Sequence, residues 1–254
     1  MKISALSSGS FGNCFYIENK DNGILVDAGI SCSKICEKLS FLGKTPADIK
    51  GIFVSHEHID HVRGVDVLAR NFSIPIFATK GTIKNSFLCS DESLINKINK
   101  NETLSLAGME IEAFSKSHDA EEPVSFNIRN GKMISVITDI GGVCKNVINS
   151  VNNCDFLVME ANHDLTMLDE GHYPYFLKKR IKAETGHLSN LKAGLCVLEH
   201  ANSKLKNIML AHLSEVNNTP ALAFHTFNSL MKERVDLKPR ILVCGRTQTG
   251  LFSV

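Results

Sequence analysis

The chain has 254 residues, 43% of them hydrophobic, which is ample for a sizeable core. Lys and Arg number 28 against 27 Asp and Glu, a net charge of +1, so bulk charge gives no sign of a nucleic-acid or membrane partner. No apolar run approaches the length of a membrane span, and the opening MKISALSSGSFGNCF lacks the continuous apolar stretch of a signal peptide. The eight cysteines form no C-x-x-C pair, and several sit in apolar segments such as ILVCG. Buried free thiols in a reducing cytoplasm are expected, not a disulfide framework.

The first quarter reads as strands separated by turns. Ile3 to Leu6 is a short strand, and residues 7–13 form a small-residue loop. Cys14 to Ile17 and Gly23 to Val26 flank Lys20-Asp21-Asn22-Gly23, a hairpin signal. Residues 31–42 read as a helix, since Ile35, Leu39 and Leu42 share a face and Gly43 can stop it. IKGIFVSH is the next strand, VRGVDVLARNF a helix, IPIFAT a strand and residues 80–90 a helix. MEIEAFSKSH alternates at period two, and VSFNIRNGKMISVITDIG is a hairpin with Asn130-Gly131 at its turn. A helix near 143–150 and the strand DFLVME follow. Helical segments from about 174 to 202, interrupted at Thr185-Gly186, lead to the strand KNIMLAH, a helix near 219–234 and the strand RILVCG. No repeat, linker or composition break divides the chain, so a single domain over 1–254 is expected. Two strand-rich halves, each followed by helices, fit two sheets covered outside by helices.

The chemistry concentrates in SHEHIDH, Ser55 to His61, directly after the apolar run Ile52-Phe53-Val54. An extended chain past Val54 points His56 and His58 to the same side. Asp60 and His61 are adjacent and need a turn to converge. A single first-row ion rarely takes four ligands from six residues, whereas two neighbouring ions can. A zincin helix is excluded, because H-E-x-x-H from His56 requires His where Asp60 stands. Three further residues follow apolar strands: His118 after EIEAFSKS, Asp139 after ISVIT and His212 after NIMLA. Singly, each reads as well as a strand-end hydrogen-bonding residue.

SHEHIDH with His118, Asp139 and His212 resembles the metallo-β-lactamase superfamily motif H-x-H-x-D-H followed by His, Asp and His. Asp27, in ILVDAG, matches the family's first motif, an Asp that supports the metal loop without binding metal. The resemblance runs from Asp27 to His212. It implies an α/β (α+β) fold, the four-layer αββα sandwich, with two divalent metal ions at one edge between the sheets. His56, His58 and His118 would take one ion, Asp60, His61 and His212 the other, with Asp139 bridging and Glu57 outside the ligand set. His and carboxylate donors suit Zn²⁺ first, with Mn²⁺ or Fe as alternatives.

Substrate class rests on other residues. β-Lactamases of the superfamily usually carry Cys where this chain has Asp139, which disfavours that activity. The stretch TGHLSNLKAGLCVLEHANSKLKNIMLAHLSE resembles ribonuclease Z-like phosphodiesterases, and that likeness makes His187 the proton donor to the leaving group. LSSGSFGNCFYI, SHDAEEPVSF, EANHD, GHYPYFLKKRI and GHLSN together resemble more closely the YycJ/WalJ (VicX) group of metallo-β-lactamase-fold exonucleases. There is no inserted arm of the ribonuclease Z kind and no room for a β-CASP domain. The resemblance implies a DNA exonuclease of 5′-to-3′ direction, with Asp60 orienting or deprotonating water. DNA is expected over RNA.

Lys179 and Arg180, in LKKRIK, could contact phosphates beside Tyr173, Tyr175 and Phe176, or form a solvated helix face. Ser8, Ser10 and Asn13 could present a phosphate-binding loop or simply connect strands. Asn162 and His163, after FLVME, could reach the substrate. Alternatives are a ribonuclease Z-type RNA nuclease, a glyoxalase II-like thioesterase or lactonase on the same metals, and a non-catalytic regulatory protein.

Overall fold

The apolar alternation of the first residues forms β1 (Lys2–Ser7), β2 (Cys14–Asn19) and β3 (Asn22–Val26). β2 pairs antiparallel with both β1 and β3, and the tight turn at Lys20 and Asp21 joins it to β3. α1 (Cys32–Phe41) starts at Ser31, whose side chain accepts from Lys34 N, and buries Ile35 and Leu39. It ends before Gly43, whose φ of +68° is the left-handed stop that the sequence suggests. The chain continues as β4 (Ile49–Phe53), α2 (Ile59–Val62), α3 (Val65–Phe72), β5 (Ile76–Ala78), α4 (Lys80–Asn85), β6 (Ile95–Lys97), β7 (Thr103–Leu106), β8 (Met109–Ser115) and β9 (Val124–Asn130). β10 (Lys132–Ile137) leads into α5 (Lys145–Asn153), β11 (Phe156–Glu160), α6 (Leu165–Glu170), α7 (Tyr175–Lys182), α8 (Asn190–His200), β12 (Asn207–Ala211), α9 (Pro220–Met231), β13 (Arg240–Val243) and β14 (Phe252–Ser253).

This computed structural model describes residues 1–254. The strands form two mixed sheets, and helices separate many of them along the chain. The chain divides into two units. The first comprises Met1–Ser115, Ala120–Gly131 and Arg246–Ser253; the second comprises Lys116–Asp119, Lys132–Gly245 and Val254.

In the first unit one sheet runs β14-β1-β2-β3-β4-β5-β6, with β3 to β6 parallel. β7, β8 and β9 form an antiparallel meander. Phe53 of β4 stacks on Phe77 at 4.7 Å between ring centroids and meets Phe126 of β9 edge-on at 5.8 Å. In the second unit β10, β11, β12 and β13 are neighbours in that order and parallel. Helices connect them, as parallel strands require. β11 and β12 are buried along almost their whole length, which explains their continuous apolar runs.

The expected elements form, with shifts in extent. The helix expected over 80–90 stops at Asn85. Ser86 turns extended, and its hydroxyl donates to Thr82 O at 2.7 Å. The break expected at Thr185-Gly186 is wider, because Ala183 is already extended and α8 begins only at Asn190. α6, β6, β7 and β14 are short elements that periodicity does not mark. Cys14, Cys89, Cys154, Cys196 and Cys244 are buried free thiols as expected, whereas Cys32, Cys36 and Cys144 are half-buried.

Candidate metal centre

In the first unit, β3 and β4 run parallel and end together, which brings Asp27 against Ser55. Asp27 is 1% exposed and held at φ +60°. Its carboxylate accepts from Ser55 N at 2.7 Å, from Ser55 Oγ at 2.9 Å and from His61 Nδ1 at 2.7 Å. An imidazole that donates its Nδ1 proton to a carboxylate presents the Nε2 lone pair. That Nε2 lies 3.5 Å from Asp60 Oδ2 and 3.1 Å from Asn13 Nδ2. Asp27 therefore orients the His61 ring, with both of its oxygens engaged by Ser55 and His61.

His56 and His58 converge as the extended reading expects. His56 Nδ1 lies 2.9 Å from Ser55 Oγ, and its Nε2 is 3.1 Å from His58 Nδ1. Two ring nitrogens directed at one point suit a shared cation. The turn that Asp60 and His61 need is the single helical turn α2, for which His58 is the extended N-terminal residue. Glu57 faces elsewhere, with Oε1 accepting from Glu121 N at 2.7 Å.

In the second unit the donors stand at the carboxyl ends of three adjacent parallel strands, the rim where α/β sheets collect ligands. Asp139 follows β10, Glu160 ends β11 and His212 follows β12. Asp139 and His212 both adopt φ +54°, a left-handed conformation rare outside glycine. His212 Nε2 lies 3.3 Å from Asp139 Oδ1. Asn162 Nδ2 donates to His212 O at 3.0 Å, so it positions that residue's main chain. His118 Nδ1 is 3.2 Å from Gly186 O.

His187 sits among them. Its ring stacks on His212 with centroids 5.2 Å apart and lies 5.3 Å from that of His118. Its Nδ1 is 2.7 Å from Glu160 Oε1 and 3.9 Å from Asp139 Oδ1. Glu160 is fully buried, and its other oxygen accepts from Ile140 N at 2.9 Å and Leu188 N at 3.2 Å. The carboxylate thus fixes the His187 tautomer with the proton on Nδ1 and Nε2 turned outward. Glu160 is the residue that reading the sequence passes over. An acid closing the apolar run FLVM carries the same signal as Asp139 and His212. One ligand atom from each of Asp139, Glu160, His187 and His212 falls within 4.8 Å of the others.

The remaining candidates divide by exposure. Ser8 and Asn13 are buried, with Asn13 Oδ1 accepting from Gly9 N at 3.0 Å, whereas Ser10 is exposed. His163 is 2% exposed beside Asn162, and burial pushes its pKa down to about 4. Arg180 pairs with Asp119 at 2.7 Å, and Lys179 is exposed on α7.

The donors fit a metal centre. They are imidazoles and carboxylates, borderline to hard ligands, and His61 carries the carboxylate support typical of metal-binding histidines. Residues 8–108 match the family described as the metallo-beta-lactamase superfamily. The chain is 37% identical over 231 residues to the exodeoxyribonuclease WalJ of Streptococcus pneumoniae serotype 2 (strain D39 / NCTC 7466), covering 89% of this chain and 86% of that protein. It is 35% identical over 243 residues to the exodeoxyribonuclease YycJ of Bacillus anthracis, covering 92% and 90%. The metallo-beta-lactamase fold protein YhfI from Bacillus subtilis shares the fold at a TM-score of 0.73 and 15% identity, over 98% of each chain. Fold, motif and near full-length similarity agree, and the chain belongs to the metallo-β-lactamase superfamily, within the group that contains WalJ and YycJ.

Proposed function

We propose that this chain is a metal-dependent DNA exonuclease, releasing nucleotides in the 5′-to-3′ direction and acting as one functional domain over 1–254. The observation that carries the reading is its 37% and 35% identity to relatives named exodeoxyribonucleases, over 89% and 92% of the chain. His56, His58 and His118 are assigned to one divalent ion, Asp60, His61 and His212 to a second, and Asp139 to both. Zn²⁺ suits this donor set first, with Mn²⁺ or Fe as alternatives. Bound ions would supply Lewis acidity toward the phosphoryl oxygens and a water acidic enough to react near neutral pH.

The side chains do the rest. Asp60 orients the attacking water and takes its proton. His187, protonated on both ring nitrogens, donates its Nε2 proton to the departing oxygen and returns to the neutral Nδ1–H form that Glu160 holds. Ser10, Lys179 and Arg180 are exposed and would contact the strand directly. Ser8 and Asn13 would act through their loop, and Asn162 and His163 through the buried segment that follows β11. The free cysteines suit a reducing cytoplasm, where we place the protein. A thioesterase or lactonase on the same metals has less need of an acid at His187, because a thiolate or enolate leaves readily.

The test uses metal-loaded protein and end-labelled single- and double-stranded DNA, with Zn²⁺, Mn²⁺ and Fe²⁺ in turn. Nucleotides should be released from the 5′ end, and His58→Ala and Asp60→Ala should abolish release. The absence of nuclease activity with every metal would remove the reading. His187→Ala should lower kcat by about 10²–10⁴-fold while metal content stays intact. Loss of metal in that variant would instead make His187 a ligand, a role its position 3.9 Å from Asp139 also allows.

A further inference from the structure

A cavity of about 420 Å³ opens in the first unit beside α1. Lys34, Lys38, Arg63 and Arg246 line it against one acid, Glu37, with Phe11 on the wall. Carbonyl oxygens hold Arg63 and Lys38, and Arg246 lies against the aromatic wall. Arg63 Nη1 donates to Phe11 O at 3.0 Å, Lys38 Nζ donates to Arg246 O at 2.7 Å, and the Arg246 guanidinium lies over the Phe11 ring 4.4 Å from its centroid. A carbonyl fixes a cation without cancelling its charge, so Lys34, Lys38 and Arg63 against Glu37 leave the cavity a positive surplus. Burial holds the Lys38 ammonium below the ordinary lysine range, which an anion in the cavity would relieve. The ten-residue helix α1 adds the positive end of its dipole, since Ser31 at its N-terminus also lines the cavity.

The same two loops build this cavity and the first half of the ligand set. Phe11 stands two residues before Asn13, whose carboxamide nitrogen is 3.1 Å from His61 Nε2. Arg63 stands two residues after His61. An anion held here is carried on the same loops that carry the metal-binding groups.

We propose that this cavity binds the terminal phosphate of the strand being degraded. The proposal rests on the exonuclease reading above. The surplus of Lys34, Lys38 and Arg63 over Glu37 suits a phosphomonoester, which carries a charge of about −1.5 to −2 near pH 7, better than a singly charged backbone diester. The volume lies in the range of pockets that enclose a small ligand, about 300–1,000 Å³, and accommodates a phosphate with its sugar. Such a pocket gives an exonuclease a physical means of telling an end from an interior bond. A released mononucleotide carries the same phosphomonoester and would compete for the site.

The experiment uses the metal-loaded protein with one strand bearing a 5′-phosphate, a 3′-phosphate or hydroxyls at both ends. Bis(p-nitrophenyl) phosphate serves as a diester with no terminal phosphate. Nucleotide release and binding by fluorescence anisotropy are both read, with a nucleoside 5′-monophosphate as competitor. One phosphorylated end should raise kcat/KM by about tenfold over the hydroxyl-ended strand, as a charge-assisted hydrogen bond would. Lys34→Glu, an exposed change on α1, and Arg246→Ala should each erase that advantage. Turnover of the hydroxyl-ended strand and of the small diester should stay at the wild-type level. Equal rates on all three strands in the wild type, or a preference that survives both variants, would overturn the proposal. So would an equal weakening of all three strands, which marks ordinary backbone contact. A wild type that cleaves nothing would overturn the exonuclease reading, and anisotropy would still decide whether the pocket prefers a phosphorylated end.

Discussion

His187 and Glu160 form a hydrogen-bonded pair, the one proposed above to deliver a proton, and its carboxylate is buried. Glu160 has no contact with solvent, and both of its oxygens are engaged at 2.7 to 3.2 Å by one ring nitrogen and two main-chain amides. Glu160→Gln keeps the shape but replaces an ionic acceptor with an amide, which no longer favours the proton on Nδ1 or the charged imidazolium. We expect kcat on DNA to fall by about 10²–10⁴-fold with KM changed far less. Steady-state kinetics beside metal analysis check this, and wild-type kcat in the variant would show that the pair has no part in proton transfer. Asp27 does the analogous work on His61, and it does so from φ +60°, a conformation that Asp tolerates better than most residues.

At the scale of elements, the reactive side chains stand where parallel strands end. Asp27, Asp139 and His212 follow β3, β10 and β12, and all three have positive φ. Each strand end turns sharply, aiming a side chain away from the direction the strand would have continued. Such conformations cost of order 1–3 kcal/mol each and persist only where the surroundings impose them. The turn α2 is locked in another way. Asn13 N donates to Asp60 O and Ala28 N to His61 O, at 2.8 and 2.9 Å. A Cβ on Gly29 would lie 1.7 Å from Asp60 O, so only glycine allows this approach. Gly29→Ala should push α2 outward, lower stability by about 1–3 kcal/mol and weaken metal binding. Denaturant unfolding and metal titration measure the two effects, and a variant as stable as the wild type would show that the loop yields freely.

Across the whole molecule, stability should depend on pH through His163. Its pKa falls from 6.5 to about 4, chiefly by burial, with the charges of His187 and Lys182 adding to the drop and Asp164 opposing it. Lys192 also acts against the charged form. Between these values the unfolded chain binds a proton that the folded chain does not, so stability rises with pH there. The contribution is complete above about pH 6.5, is lost as pH falls toward 4 and changes no further below that. The size is about 3 kcal/mol. Urea unfolding at pH 7 and pH 4.5 should show a smaller loss in His163→Gln than in the wild type, and equal losses would exclude His163 as the cause.

The amino-acid sequence determined the element types, the turns and the candidate metal ligands. Apolar periodicity, the Asn-Gly pairs and the spacing of SHEHIDH are local signals, readable within about ten residues because propensity and side-chain direction act at that range. His118, Asp139 and His212 were legible for the related reason that each follows an apolar strand. Tertiary structure alone decided which donors meet. Glu160 joins His187 across 27 residues because the segment after α7 returns along the end of β11, where Asn162 N donates to Leu188 O at 2.9 Å, a pairing that no local pattern encodes. The cavity beside α1 draws Arg246 to Phe11 and Lys38 across more than two hundred residues. Its charge surplus arises from the packing of segments that are unremarkable in isolation, because electrostatic fields sum over space and not along the chain.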